Sequence, residues 1–219
     1  MRVISGTAKG RTLKSPGAAT RPITDRVKEN LFNVLGARIV GANALDLFAG
    51  AGSVGIEALS RGARHCAFVE KDNAALRAIK ENLELTRLTE RATVVREDVF
   101  RFIRRHNVIA SKAKQSPNWS LEIASSQNAL PSLRSGQALA MTAYDFIYVA
   151  PPQYKELWAE TLKTLDGRGM LAAGGIIVAQ IFPKEYRALE LEEFVVEDQR
   201  TYGSTLLCFY RGQKQPLAQ

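Results

Sequence analysis

The run Gly50-Ala51-Gly52-Ser53-Val54-Gly55 has the spacing G-x-G-x-x-G, and single carboxylates recur at intervals around it. Glycines so placed let a backbone pass close to a ligand, and a helix opening behind them offers free N–H groups. The pattern gains meaning when a strand precedes it and a helix follows. Both are expected here: Ala44-Leu45-Asp46-Leu47-Phe48 reads as a buried strand, and a helix opens at Val54. Glu70 ends the next expected strand, 15 residues past Gly55. An acid there can accept both ribose hydroxyls of an adenosine. Asp98 ends the third strand, where a carboxylate can meet an adenine amino group. Asp46 lies four residues before Gly50, a position that is usually apolar in dinucleotide-binding loops. An acid there suits a cationic ligand.

Asp46, Glu70 and Asp98 therefore favour a donor with a sulfonium and an ammonium and no pyrophosphate. S-adenosylmethionine is such a molecule, and NAD is not. Phe48, Lys71 and Val99 flank the acids and complete the expected donor set with Gly50, Gly52 and Gly55. A nicotinamide-dependent dehydrogenase is the reading that Asp46 speaks against, as does the proline pair Pro151-Pro152.

These residues need elements to hold them. Thr24 is placed to cap a helix, with Asp25 in its first turn and Val27, Leu31, Phe32, Val34 and Leu35 at helical spacing. Gly36 and Gly41 bracket its end. Further strands are expected at 65–70, 92–95, 144–149 and 175–179, with helices at 73–85, 98–105 and 154–165 between them. Segments 194–200 and 204–210 read as a closing antiparallel pair. Strict alternation implies an α/β fold with a doubly wound, mostly parallel sheet of seven strands. Residues 107–141 break the rhythm: they are rich in Ser, Ala and Gln without sustained periodicity, and read as a loop insertion. A helix-to-strand connection lies at the edge of the sheet opposite the ligand edge. Residues 1–24 form a separate arm or hairpin, and 25–219 one domain.

Composition narrows the classes. The chain has 219 residues, 46% of them hydrophobic and 24% charged, which is an ordinary globular mix. No run approaches the roughly 20 apolar residues of a membrane span. Cys66 and Cys208 cannot make a disulfide framework, and no Cys or His spacing suggests a metal. A cytoplasmic monomer without metal is the expectation. The net charge is +8 and the pI about 9.7, which favours a polyanionic partner. Residues 1–28 hold seven basic residues against Asp25 alone, so most of the excess sits on the arm. Lys9, Arg11, Arg21 and Arg26 are the candidates for contacts with nucleic-acid phosphates.

The segment from Asp46 to Ala63, followed by Phe68-Val69-Glu70-Lys71-Asp72, resembles class I methyltransferases that modify nucleic acid. Arg21-Pro22-Ile23-Thr24-Asp25-Arg26-Val27-Lys28-Glu29-Asn30-Leu31-Phe32 is similar to the opening of the RsmD-type family, the 16S ribosomal RNA guanine-N2 methyltransferases. Arg2-Val3-Ile4-Ser5-Gly6 through Arg11, and Arg200-Thr201-Tyr202-Gly203-Ser204-Thr205 with Phe209-Tyr210, resemble its first and last segments. The resemblance implies a Rossmann-like class I methyltransferase fold, S-adenosylmethionine as donor and 16S rRNA of the small ribosomal subunit as partner. It also implies a catalytic loop Asp-Pro-Pro-(Tyr/Phe) after the fourth strand. There the acid and a backbone carbonyl would accept the amino hydrogens, and the ring would stack on a flipped base.

This sequence departs from that loop. It reads Ala150-Pro151-Pro152-Gln153-Tyr154, with no acid at 150 and the aromatic residue one position late. Three readings follow. Backbone carbonyls suffice, with Gln153 or an rRNA phosphate as second acceptor. The enzyme is slow. Or the chain binds donor and RNA in ribosome assembly without catalysis. Asp145, on the strand itself, is expected to be structural.

Overall fold

Thr24 turns the chain into its first helix by accepting the Val27 N–H on its side-chain oxygen at 3.3 Å. Helix α1 (Asp25–Leu35) then buries Val27, Leu31, Phe32 and Leu35 and stops at Gly36, which has φ 53°. A computed structural model describes residues 1–17, 23–105, 143–153 and 156–213. After a short 3-10 turn at Gly36–Ile39 come β1 (Asn43–Leu47), α2 (Ser53–Ser60), β2 (His65–Glu70) and α3 (Asn73–Thr86). Next are β3 (Ala92–Arg96) and α4, helical over 99–105. Then follow β4 (Tyr144–Val149), α5 (Leu157–Leu165), β5 (Leu171–Ile181), β6 (Phe194–Tyr202) and β7 (Thr205–Gly212).

The seven strands lie in the order β3-β2-β1-β4-β5-β7-β6. The first five run parallel, and β7 pairs antiparallel with both β5 and β6. The strand order reverses between β1 and β4, the switch point where open α/β sheets bind ligands at their carboxyl edge.

Side chains alternate across the sheet and feed two cores. One gathers Val27, Leu31, Phe32 and Leu35 of α1, Ile56 and Leu59 of α2, and Ile79 and Leu83 of α3. Val3, Ala8 and Leu13 of the N-terminal arm join the same cluster. The other gathers Val99, Phe102 and Ile103 with Trp158, Leu162 and Leu165.

Two element starts differ from the sequence expectation by three residues or more. The helix expected from residue 154 begins at Leu157, because Glu156 sits at φ 50° in the left-handed region. The strand expected over 175–179 spans Leu171–Ile181, with a register jump beside Gly174, whose φ is 76°. The expected insertion 107–141 lies outside the described residues.

Candidate active site

Beyond Leu47 the chain makes a tight loop, with Phe48 at φ 60°, Gly50 at 55° and Gly52 at 76°. The loop is pinned from below. Asp46 is 3% exposed, and its carboxylate accepts the Gly55 N–H at 2.9 Å. Burial pushes the Asp46 carboxyl up to about 8, and the Gly55 hydrogen bond only partly opposes this. Asp46 thus lies beneath the loop and holds the start of α2, a structural role in place of the exposed charge for a cationic ligand that its position in the sequence suggested.

The three glycines differ in what surrounds them. A Cβ on Gly50 would meet nothing within 4 Å, so its backbone borders open space. A Cβ on Gly55 would lie 2.3 Å from Phe68 Cε1 and 2.7 Å from Cys66 Sγ. The last glycine therefore serves close packing of α2 on β2. Gly55→Ala is expected to cost about 1–3 kcal/mol, read from the urea midpoint, because neither β2 side chain has room to retreat. An unchanged midpoint would contradict this packing.

Glu70, half-buried at the end of β2, gathers the loop and its own turn. It accepts the N–H groups of Gly50 at 2.9 Å, Lys71 at 2.7 Å and Asp72 at 2.9 Å. Asp98 accepts from Phe100 N at 3.1 Å and so caps α4, and its other oxygen pairs with Lys71 at 3.3 Å. Phe48 and Phe100 meet edge-on with centroids 6.3 Å apart. Val99 is buried in the core, so only its backbone can face a ligand. Phe48, Gly50, Glu70, Lys71 and Asp98 are thereby brought to one edge, above β1, β2 and β3.

The double-proline loop begins at the same edge. Ala150 donates its N–H to Leu47 O at 3.4 Å, which sets the end of β4 against the start of the glycine loop. Pro151 and Gln153 are half-buried and Pro152 is exposed. Tyr154 lies outside the described residues. Asp145 accepts the Asn43 N–H at 2.8 Å at the opposite edge, a structural role.

The arm is fastened to this framework. Ser60 Oγ accepts the Ala8 N–H at 2.9 Å, and Asn82 joins the Lys14 backbone to Ala51 O of the glycine loop. Lys9, Arg11 and Arg26 are exposed, and among the described residues none of the three has an ion pair. Arg21 lies outside the described residues. The arm's excess charge is smaller than counting suggests. Arg2 pairs with Asp25 at 3.2 Å and Lys14 with Glu81 at 2.8 Å. Lys28 is fully buried. It donates to Arg2 O and to Ser53 Oγ at 3.1 Å, and lies 3.6 Å from Glu57. Glu57, also fully buried, accepts Ile4 N at 2.7 Å, Ser5 N at 3.0 Å and Arg61 Nε at 2.7 Å. Burial pulls the Lys28 ammonium below its usual range, and Glu57 opposes that fall.

Sequence reasoning missed this ion pair. Its signal was present: Lys28 shares the apolar face of α1, and Glu57 interrupts an otherwise apolar α2. A second missed pair lies at the carboxyl edge, where buried Tyr148 donates its hydroxyl to Gln180 Oε1.

A mostly parallel sheet with a closing antiparallel pair, a glycine loop after β1 and an acid ending β2 is the architecture of a Rossmann-like methyltransferase. An Escherichia coli structure named "Putative methyltransferase yhhF" matches over 98% of this chain and 99% of its own, with TM-score 0.75 and 27% identity. The model of the family described as conserved hypothetical protein 95 matches residues 1–115 and 107–211, and the chain belongs to that family. Among its relatives is "Putative rRNA methyltransferase YlbH" of Bacillus subtilis, 39% identical over 96% of this chain and 98% of the relative. "Ribosomal RNA small subunit methyltransferase D" of Escherichia coli is 32% identical over 82% and 74% respectively.

Proposed function

We propose that the chain transfers a methyl group from S-adenosylmethionine to the exocyclic N2 of a guanine in 16S rRNA of the small ribosomal subunit. The observation that carries this is the meeting of the glycine loop and the double-proline loop at one switch point, through Ala150 N and Leu47 O. A donor held on β1–β2 would there lie beside a base delivered to β4. The relatives named for rRNA methylation support the substrate class.

The residues present fit the donor. Gly50 borders open space, and Glu70 faces it with two oxygens that offer about four acceptor positions, three of them filled by backbone N–H groups. The fourth suits one ribose hydroxyl, where the sequence alone led to an expectation of two. Asp98 and the backbone of Val99 suit the adenine edge, with Phe48 and Lys71 beside them. S-adenosylmethionine supplies a methyl carbon activated by its sulfonium. The chain's own contribution is placement, since aligned reactants remove much of the barrier. Lys9, Arg11, Arg21 and Arg26 would hold rRNA phosphates and carry no sequence information.

Ala150 keeps a second reading alive, in which the chain binds donor and RNA without transfer. One experiment separates the two. Small ribosomal subunits lacking the modification are incubated with the chain and tritiated donor, and the nucleosides are identified. Labelled N2-methylguanosine is the expected product. S-adenosylhomocysteine binding by calorimetry without transfer would favour the silent binder. Absence of binding at millimolar concentration would reject both.

A further inference from the structure

We propose that the amide oxygen of Gln180 is the acceptor for the guanine amino hydrogens that Ala150 cannot provide. The inference rests on the reading above and names how the same site works. Val149 and Ala179 are partners in the β4–β5 register, so Ala150 and Gln180 are the next residues out on neighbouring strands. On β5, Ile176 and Val178 belong to the core beneath α1–α3, whereas Ile177, Ala179 and Ile181 belong to the other. Alternation puts Gln180 on the first face, the face of Tyr148.

Gln180 is half-buried, at the carboxyl edge, and its amide is not left to rotate. The Tyr148 hydroxyl, fixed in the core, donates to Oε1 and holds that oxygen in place. Burial and the nearby Asp46 raise the Tyr148 hydroxyl well above its usual range, so it stays a donor. A carbonyl oxygen accepts two hydrogen bonds, and Tyr148 uses one. Among the described residues the other has no partner, which leaves it to an N2 hydrogen. Tyr148 is a positioning residue in this arrangement. Gln153 is the rival on the loop itself, but among the described residues no hydrogen bond fixes its amide.

The chemistry balances without a strong base. N2 forms a bond to the methyl carbon as that carbon's bond to sulfur breaks, and the electron pair stays on sulfur. One N2 proton then leaves to water. The Gln180 oxygen takes no proton. It holds an amino hydrogen so that the N2 lone pair turns out of the ring and towards the methyl carbon, a preorganised acceptor at the place where charge develops.

The test is a rescue on the neighbouring strand, using the full chain, small ribosomal subunits as substrate and single-turnover methyl transfer. Gln180→Leu is expected to slow transfer about 10²- to 10³-fold, with S-adenosylhomocysteine affinity by calorimetry within about twofold of the wild type. Adding Ala150→Asp to Gln180→Leu is expected to restore the rate to within about tenfold, which a purely structural role for Gln180 would not allow. Gln180→Glu keeps an acceptor and keeps most of the rate. Tyr148→Phe gives a smaller loss than Gln180→Leu. Should Gln180→Leu fail to fold, Gln180→Asn withdraws the oxygen by one methylene and carries the same expected loss and rescue. An active wild type with Gln180→Leu unimpaired, or a loss that Ala150→Asp does not restore, overturns the inference alone. A wild type that methylates no guanine overturns the proposed function and the inference with it.

Discussion

Glu57→Leu is expected to lower the unfolding free energy by about 3–5 kcal/mol, and Lys28→Met by only about 1–3 kcal/mol. Both side chains are fully buried, so a symmetric loss would be the first guess. The partners that remain decide otherwise. Without Lys28, Glu57 still has Arg61 Nε and the N–H groups of Ile4 and Ser5. Without Glu57, those two partly buried N–H groups lose their acceptor. Lys28 is then left with Arg2 O and Ser53 Oγ, neither of which carries charge. The double variant should cost less than the sum of the two, because neither charge is then left alone. Urea unfolding of the four chains with a common slope measures this. A Lys28→Met loss larger than that of Glu57→Leu would refute the account.

Stability is also expected to fall as pH rises between about 4 and 8, by up to about 1.4 kcal/mol per pH unit from Asp46 alone. The sign follows from where the proton sits. In the unfolded chain this carboxyl ionises near 4, but in the fold burial holds its proton to about 8. Across that window the folded chain binds more protons, so raising the pH favours unfolding. Below the window the contribution is complete, and above about 8 it is gone. His65 adds the opposite trend near neutrality, since burial lowers its ring below the usual range. A difference against Asp46→Asn isolates the carboxyl, because an Asn oxygen still accepts the Gly55 N–H. The wild-type curve should drop relative to the variant from pH 5 to pH 8 and run parallel above. A difference independent of pH would mean that Asp46 is ionised in the fold throughout.

Much of this was legible in the sequence, and the reasons are local. Short, largely apolar runs rich in β-branched and aromatic residues, such as 66–69 and 144–149, read as strands buried on both faces, and Thr24 announces α1 by its chemistry. The meeting of Gly50, Glu70 and Asp98 at one sheet edge was legible because each ends or follows such a run. What stayed hidden is either long-range or a matter of surroundings. Tyr148 and Gln180 are 32 residues apart and share no periodicity. Gly50 and Gly55 look alike in the motif, yet one borders open space and the other is pressed on Phe68. Counting charges could not tell that Lys28 belongs to the core.

The fastening of the arm sets an order of events during synthesis. Ile4 finds its acceptor 53 residues later in Glu57, and Lys14 finds its own 68 residues later in Asn82. At a translation rate of about 5–20 residues per second, those partners emerge several seconds after the arm does. Val3, Ala8 and Leu13 cannot enter their core until α2 and α3 exist. The arm leaves the ribosome before its partners and must wait, basic and unfastened, for the glycine loop and the helices behind it to be made.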